Sequence, residues 1–244
     1  MNLIDLIFPQ TAKCLFCGDE DGGFGLCDDC LKTLPFVKGN TCQKCGLEIS
    51  SGRICIECKN SNHIFEKCYS IFLYSGRVRS EIVSLKQNKK KVVAKVFGHI
   101  VSEYISKLNV DFDTIIPIPI HENRLKERGF NQSELLLNEY SKKSDKVQTN
   151  ILFRIKDTPH QTGLDKAHRE SNLSGAFKVD KSKVKNKTIL LFDDIFTTGA
   201  TLDECAKVLQ KAGAKKVFAL CLARTPISTN KILDQSFDIN FDII

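Results

Sequence analysis

The sequence predicts an α/β protein, a parallel sheet flanked by helices and preceded by a small metal-bound module. Three observations lead there. Thr188–Phe192 is an apolar, partly β-branched run that turns abruptly polar and then resumes at helical spacing through Leu202, Cys205, Ala206, Leu209 and Ala212. A second unit of strand, polar loop and helix covers residues 112–140. Near the start, eight cysteines fall into two sets of identical spacing. Strands that alternate with helices pair in parallel, and no apolar run reaches membrane-spanning length.

The cysteine sets are Cys14, Cys17, Cys27 and Cys30, then Cys42, Cys45, Cys55 and Cys58, each member of the second set 28 residues after its counterpart. A Cys-x2-Cys pair folds into a knuckle that offers two thiolates to one tetrahedral metal, so two zinc ribbons with two structural Zn2+ are the direct reading. Disulfides, a redox pair or an iron–sulfur cluster are the alternatives. Met1–Phe8 lacks a basic leader and a cleavage site, which favours a reducing cytoplasm, where thiols bind metal more often than they cross-link. Sequential pairing of knuckles is simplest, but a crossed pairing of Cys14/Cys17 with Cys42/Cys45 also satisfies the spacing. Residues 1–68, the expected first domain, hold few apolar side chains among Gly, Asp and Lys, so the metals should supply much of their folding free energy. Cys68, Cys205 and Cys221 fall outside the repeat and read as structural.

The formal charge of +7 suggests an affinity for nucleic acid, but eight thiolates and two Zn2+ reduce it to about +3. Residues 1–69 carry seven Lys/Arg against nine Asp/Glu, so the ribbons are acidic once their thiolates are counted. Single-stranded DNA, if it binds, belongs on the second domain, residues 69–244, where Lys86–Lys91 with Lys95 and Lys178–Lys187 form basic clusters. A solvated face is the plainer reading of such runs. With no Trp and four Tyr, the chain lacks an obvious aromatic platform for stacked bases.

From Tyr69 onward the apolar segments lengthen. Ile82, Leu85, Val92, Val93, Val96, Ile100, Val101 and Ile105 predict one or two amphipathic helices around a basic turn. Phe112–Pro119 reads as a strand, His121–Gln132 as a polar loop and Ser133–Tyr140 as a helix. In that loop Arg124 and Arg128 suit a pyrophosphate, because planar guanidinium donors pair with phosphate oxygens beside a helix start. Residues 154–172 are polar and weakly periodic, as a mobile lid would be. His121, His160 and His168 lie near enough in sequence to handle protons, although lone histidines are more often structural. Ala219–Pro226 reads as another buried strand ending in a polar turn.

The stretch Asp193–Thr201 lies between strand and helix, where open α/β sheets bind ligands. Thr197, Thr198, Gly199, Ala200 and Thr201 offer backbone N–H groups, hydroxyls and a helix start to a phosphate. Asp193 and Asp194 can accept from sugar hydroxyls or help hold Mg2+. The order Asp-Asp-x2-Thr-Thr-Gly-Ala-Thr resembles the PRPP-binding motif of type I phosphoribosyltransferases, which implies the 5-phosphate at Thr197–Thr201 and the ribose hydroxyls at Asp193 and Asp194.

A narrower resemblance gathers the cysteine module, Leu85-Lys86, Pro117-Ile-Pro119, Arg128-Gly129-Phe-Asn131-Gln132, the set Arg154, Thr158, Gln161, Leu164, Arg169 and Asn172, and Ala223-Arg-Thr225. Together these are similar to the ComF family and cover all but about the last twenty residues. The resemblance implies a type I phosphoribosyltransferase-like domain after a double zinc ribbon, and a part in DNA uptake alongside competence proteins. It also implies Mg-dependent displacement of pyrophosphate from C1 of PRPP, with Asp193, Asp194 and Arg128 as the working residues. The alternative is a non-catalytic module for single-stranded DNA or a protein partner, regulated by PRPP or a nucleotide. A purine-biosynthesis role of the amidotransferase kind is disfavoured, since the cysteines are organised for metal.

Overall fold

The computed structural model describes residues 13–20, 25–158 and 173–226. Helices α1 (Asp28–Lys32) and α2 (Ile56–Lys59) close the two cysteine ribbons. Strand β1 (Cys68–Leu73) leads into α3 (Gly76–Asn88) and α4 (Lys91–Lys107), which meet at Lys89 in a left-handed conformation. Next come β2 (Thr114–Pro117), α5 (Glu122–Arg128), α6 (Gln132–Ser141) and the antiparallel pair β3 (Leu152–Arg154) and β4 (Phe177–Val179). Strand β5 (Thr188–Phe196), α7 (Ala200–Lys211) and β6 (Lys216–Arg224) complete the described chain. The main sheet runs β1-β6-β5-β2, parallel throughout.

Parity along the central strands divides the core. Ile189 and Leu191 of β5, with Val217, Ala219 and Cys221 of β6, face the layer that contains α7; Leu190, Phe192, Leu220 and Leu222 face α3, α4 and α6. Side chains alternate across a strand, and a parallel strand covered on both faces is therefore apolar at every position. On α4, Val93, Val96, Phe97, Val101 and Ile105 recur three or four residues apart and are buried, as an amphipathic helix requires.

The ribbons straddle the β1 edge of this sheet. Cys14, Leu26, Cys30 and Leu34 join the α4 side of the core, while Cys42, Cys45, Leu47, Cys55 and Cys58 join the α7 side. The amide of Cys68, the first residue of β1, donates to the Lys44 carbonyl at 2.7 Å, and the Phe36 and Phe72 backbones form a bridge. Gly46 sits at φ +69°, and a Cβ there would stand 2.6 Å from the Cys68 carbonyl oxygen. Gly46→Ala is therefore expected to cost about 2–4 kcal/mol, from left-handed backbone strain plus a clash with main chain that cannot yield. A denaturant titration of the zinc-loaded protein measures it.

Three sequence expectations shift. The segment read as a polar loop at His121–Gln132 is largely α5. Its residues are good helix formers, His121 Nδ1 accepts from the Asn123 amide, and Gly129 at φ +82° ends it. The helix carries no apolar stripe because it stands on the surface with even Leu125 exposed, so periodicity could not reveal it. The strand expected over Phe112–Pro119 is confined to β2. Strand β5 also continues past its apolar run, with Asp193 paired in register to Cys221.

Candidate functional site

The described residues bring the predicted site residues into two cysteine centres and a cleft. In each centre the four sulfurs lie within 4.8 Å of one another. Cys17 and Cys27 are 3.6 Å apart and Cys45 and Cys55 3.7 Å apart, close to the ~3.8 Å edge of a tetrahedron with Zn–S bonds of about 2.3 Å and far beyond a disulfide bond. All eleven cysteines are free thiols. The sets are sequential, Cys14/Cys17/Cys27/Cys30 and Cys42/Cys45/Cys55/Cys58, which removes the crossed pairing. Their surroundings differ: the second set is wholly buried, whereas Cys17 is exposed. A hydrogen bond from Cys58 draws the Cys45 thiol down to about 4 against the upward push of burial, and the Arg224 cation adds to the effect. Of the three remaining cysteines, Cys205 and Cys221 are pushed well up by burial, and Cys68 faces Cys221 at 3.9 Å in the core; all three are structural.

The cleft, of about 900 Å³, opens at the C-terminal ends of β2 and β5, as expected where strand ends meet helix starts. Arg124, Arg128 and Gln132 line one side, Asp193, Asp194, Thr197 and Thr201 another, and Lys86 and Arg154 close it. Both sequence-predicted loops thus border one space. Thr198, Gly199 and Ala200 stand behind that rim: Thr198 Oγ1 accepts from the Ala200 amide at 3.4 Å, and Gly199 caps α7 at φ +82°. A Cβ on Gly199 would lie 2.8 Å from His63 Cε1 and 2.9 Å from the Phe196 ring, so only glycine fits this turn. Gly129 and Asn131 are likewise behind the rim. Asn131 caps α6, its Oδ1 accepting from the Ser133 amide at 3.0 Å and its Nδ2 donating to the Ile118 carbonyl at 3.0 Å.

Charge is segregated inside the cleft. Asp193 Oδ1 accepts from the Asp194 amide at 2.8 Å and from Ser133 Oγ at 3.3 Å. Burial, and then the neighbouring Asp194 charge, raise the Asp193 carboxyl to about 7. Lys86 Nζ meets Asp194 Oδ2 at 2.5 Å, so the acid pair already draws a cation. On the opposite side, burial and the Arg124 charge press the Arg154 guanidinium downward. Arg154 bonds Thr158 Oγ1, and Arg124 Nη2 donates to the Thr158 carbonyl at 2.8 Å, tying the start of the expected lid to α5. Two buried donors, Gln132 Nε2 and Arg154 Nε, have no hydrogen-bond partner among the described residues. An orphaned buried donor is costly unless a ligand or water satisfies it.

Of the histidines, His121 faces Asp157 at 3.5 Å at the edge of α5. His160 and His168, with Gln161, Leu164, Arg169 and Asn172, lie outside the described residues. Two residues here were named in the sequence only as motif or basic-cluster members, with no part at the acid pair or the metal centres. Lys86 looked like part of a solvated basic run, although its position directly after the buried Leu85 places it at the boundary of the α3 face. Arg224, only 1% exposed, is a lone cation ending an apolar strand, and that contrast was its signal.

Residues 3–59 match the double zinc ribbon domain family and residues 135–242 the phosphoribosyl transferase domain family. Competence protein F of Haemophilus influenzae is 29% identical over 82% of this chain and 90% of its own length. DNA utilization protein YhgH of Escherichia coli is 27% identical over 84% of this chain and 92% of that protein. Competence protein ComFC of Bacillus subtilis is 26% identical over 82% of this chain and 84% of that protein. Among the described residues no helix is long and apolar enough to cross a membrane. With two four-cysteine zinc sites, a parallel sheet whose strand ends form the cleft, and similarity to these relatives along four-fifths of its length, the chain joins a double zinc ribbon to a phosphoribosyltransferase-type domain and resembles the competence proteins F and ComFC.

Proposed function

We propose that the cleft binds PRPP with Mg2+ and that the chain is a phosphoribosyltransferase of the DNA-uptake machinery. The observation that carries this reading is the pairing, across one cleft, of orphaned buried donors with an acid pair and a threonine-rich helix start. A diphosphate would satisfy Gln132 Nε2 and Arg154 Nε beside Arg124 and Arg128, sugar hydroxyls would donate to Asp193 and Asp194, and the 5-phosphate would sit at Thr197–Thr201. Mg2+ fits the same acid pair, which attracts the Lys86 ammonium in its place, and would neutralise the diphosphate when bound.

In transfer, the C1–O bond to pyrophosphate breaks and its electron pair leaves with the pyrophosphate. The acceptor's lone pair forms the new bond at C1, and the acceptor's proton goes to solvent. Arg124, Arg128 and Arg154 stabilise the departing charge, while the ionised acid pair steadies the ribose as positive charge develops at C1. No side-chain nucleophile is needed. Calorimetric titration of Mg2+ and PRPP into the zinc-loaded protein tests the reading. Binding lost in a folded Asp193→Asn/Asp194→Asn variant supports it, and no binding by the parent overturns it. A screen of nucleobases, amines and single-stranded DNA for release of pyrophosphate would then identify the acceptor.

Gln132→Leu gives a separate check. Removing an unpaired amide should leave stability unchanged or raised by up to about 1 kcal/mol, yet weaken pyrophosphate binding about tenfold through loss of one hydrogen bond to a charged group. The second reading is a DNA- or partner-binding module that uses PRPP as a regulatory ligand. It is favoured by the basic rim of Lys86, Lys89, Arg124 and Arg128 around the cleft and by the relatives' names. DNA binding that survives loss of Asp193 and Asp194, without pyrophosphate release for any acceptor, would select it.

A further inference from the structure

The buried Arg224 joins the second cysteine centre to the loop over Phe196–Thr201. Its Nη1 donates to Cys45 Sγ at 2.8 Å and to the Cys45 carbonyl at 3.2 Å, and its Nη2 lies 3.8 Å from Glu57 Oε2 on α2, between Cys55 and Cys58. Toward the cleft, its guanidinium carbon stands 5.0 Å from the centre of the Phe196 ring, and Nε donates to the Thr225 carbonyl at 3.1 Å. The Thr225 amide in turn donates to the Phe196 carbonyl at 2.9 Å. Phe196 is the ring against which Gly199 packs, so the path from metal-site thiolate to helix start has no gap: Cys45, Arg224, Phe196, Gly199.

A second support fixes the same helix from the ribbon side. Asp203, in the first turn of α7, accepts from His63 Nδ1 and from the Ile64 amide, each at 2.7 Å. His63 stacks on Phe65 and meets the edge of Phe196. Among the described residues the first centre lacks such a link. Its thiolate Cys30 faces Arg77 at 3.7 Å, but Arg77 is exposed and stands over Phe16, at the N-terminal end of α3 and within the first ribbon.

We propose that Arg224 is a positioning residue that couples occupancy of the second zinc centre to the shape of the Thr197–Thr201 loop, while the first centre is uncoupled from it. A planar guanidinium suits the task, because its fixed donors hold Cys45 and Thr225 together while its face rests on Phe196; a lysine ammonium has neither the spread of fixed donors nor a face to stack. Coupling between two sites is reciprocal, so a ligand on the loop must retain metal in the second centre as strongly as the metal favours the ligand. That ligand-linked part rests on the phosphate reading given above. The coupling of metal to loop does not.

The test uses the full zinc-loaded chain. Amide exchange across residues 196–205, including the Asp203 amide bonded to the Gly199 carbonyl at 2.8 Å, is compared in the parent, Arg224→Met, Arg224→Lys and Arg77→Met. Zinc release to excess chromophoric chelator is followed with and without Mg2+ and PRPP. Its two phases are assigned with Cys17→Ala, which weakens the first centre alone.

Arg224→Met is expected to speed exchange in 196–205 about tenfold and to accelerate the second-centre phase, with Arg224→Lys intermediate. Arg77→Met should alter only the first-centre phase. PRPP should slow the second-centre phase of the parent about tenfold, within the usual range of coupling between sites. Unchanged exchange in Arg224→Met, or equal loosening in Arg77→Met, overturns the proposal. If Arg224→Met fails to fold, parent-like exchange and release in Arg224→Lys overturn it equally. PRPP that binds by calorimetry but slows both phases alike, or neither, also overturns it. PRPP that does not bind refutes the phosphate reading alone, and the exchange comparison still decides the coupling.

Discussion

Asp193→Asn is expected to stabilise the chain above neutral pH while removing its hold on a phosphorylated sugar. The folded carboxyl titrates at about 7 because of burial and the Asp194 charge, whereas an unfolded Asp titrates near 4. Between those values the native state binds a proton that the unfolded chain does not, so this group's contribution to stability declines as pH rises through the window and is least favourable above about 7. The Asn variant escapes that loss. Its advantage should grow between pH 6 and pH 8, then level off, reaching about 1–3 kcal/mol after discounting for residual exposure and for the attraction of Lys86. Denaturant titrations at the two pH values, run with zinc present, measure it.

Over the same range the parent should bind Mg2+ and PRPP more tightly as Asp193 ionises, and the variant should bind about a hundredfold more weakly at pH 8, having lost charge-assisted bonds to the ribose. A variant less stable than the parent at pH 8 would contradict the electrostatic account. One that binds PRPP normally would contradict the site. Functional sites often hold such like-charge pairs at a cost to stability.

Removing zinc is expected to do more than unfold residues 13–59. Structural zinc contributes on the order of 10 kcal/mol to small modules of this kind, and few apolar side chains stand in reserve here. Because Cys42, Cys45, Cys55 and Cys58 share one core with Ile189, Leu191 and Cys221, loss of the second metal should also weaken the sheet at its β1 edge. Calorimetric melting during chelator titration should show the first centre, reached through the exposed Cys17, emptying with a modest loss of stability. Emptying of the second should then lower the main transition by about 10 °C or more, as a loss of several kcal/mol would in a domain of this size. A main transition that is unchanged in metal-free protein would mean that the ribbons merely rest against the sheet.

Local chemistry made much of this legible. The cysteine spacing identified the eight metal ligands because paired knuckles supply a tetrahedral centre, though not which knuckles share a metal, and Thr188–Phe192 announced a doubly covered strand because such a strand admits no polar face. The order of polar residues after it marked part of the cleft's rim, Asp193, Asp194, Thr197 and Thr201. Helix α5 stayed hidden because a helix lying on the surface needs no apolar stripe. The difference between the two cysteine sets was equally invisible, since one spacing serves a partly exposed centre and a buried one.

Only the tertiary structure brought Lys86 onto Asp194 and Arg224 onto Cys45, contacts that span 108 and 179 positions of the chain. Sequence patterns record what each residue needs from its own segment, whereas a buried cation's partner is chosen by strands and helices meeting in space. The sequence by itself determined the zinc ligands, the parallel sheet and the rim of the cleft. Packing decided that the second metal centre and the cleft share one core, because β6 carries Arg224 between them.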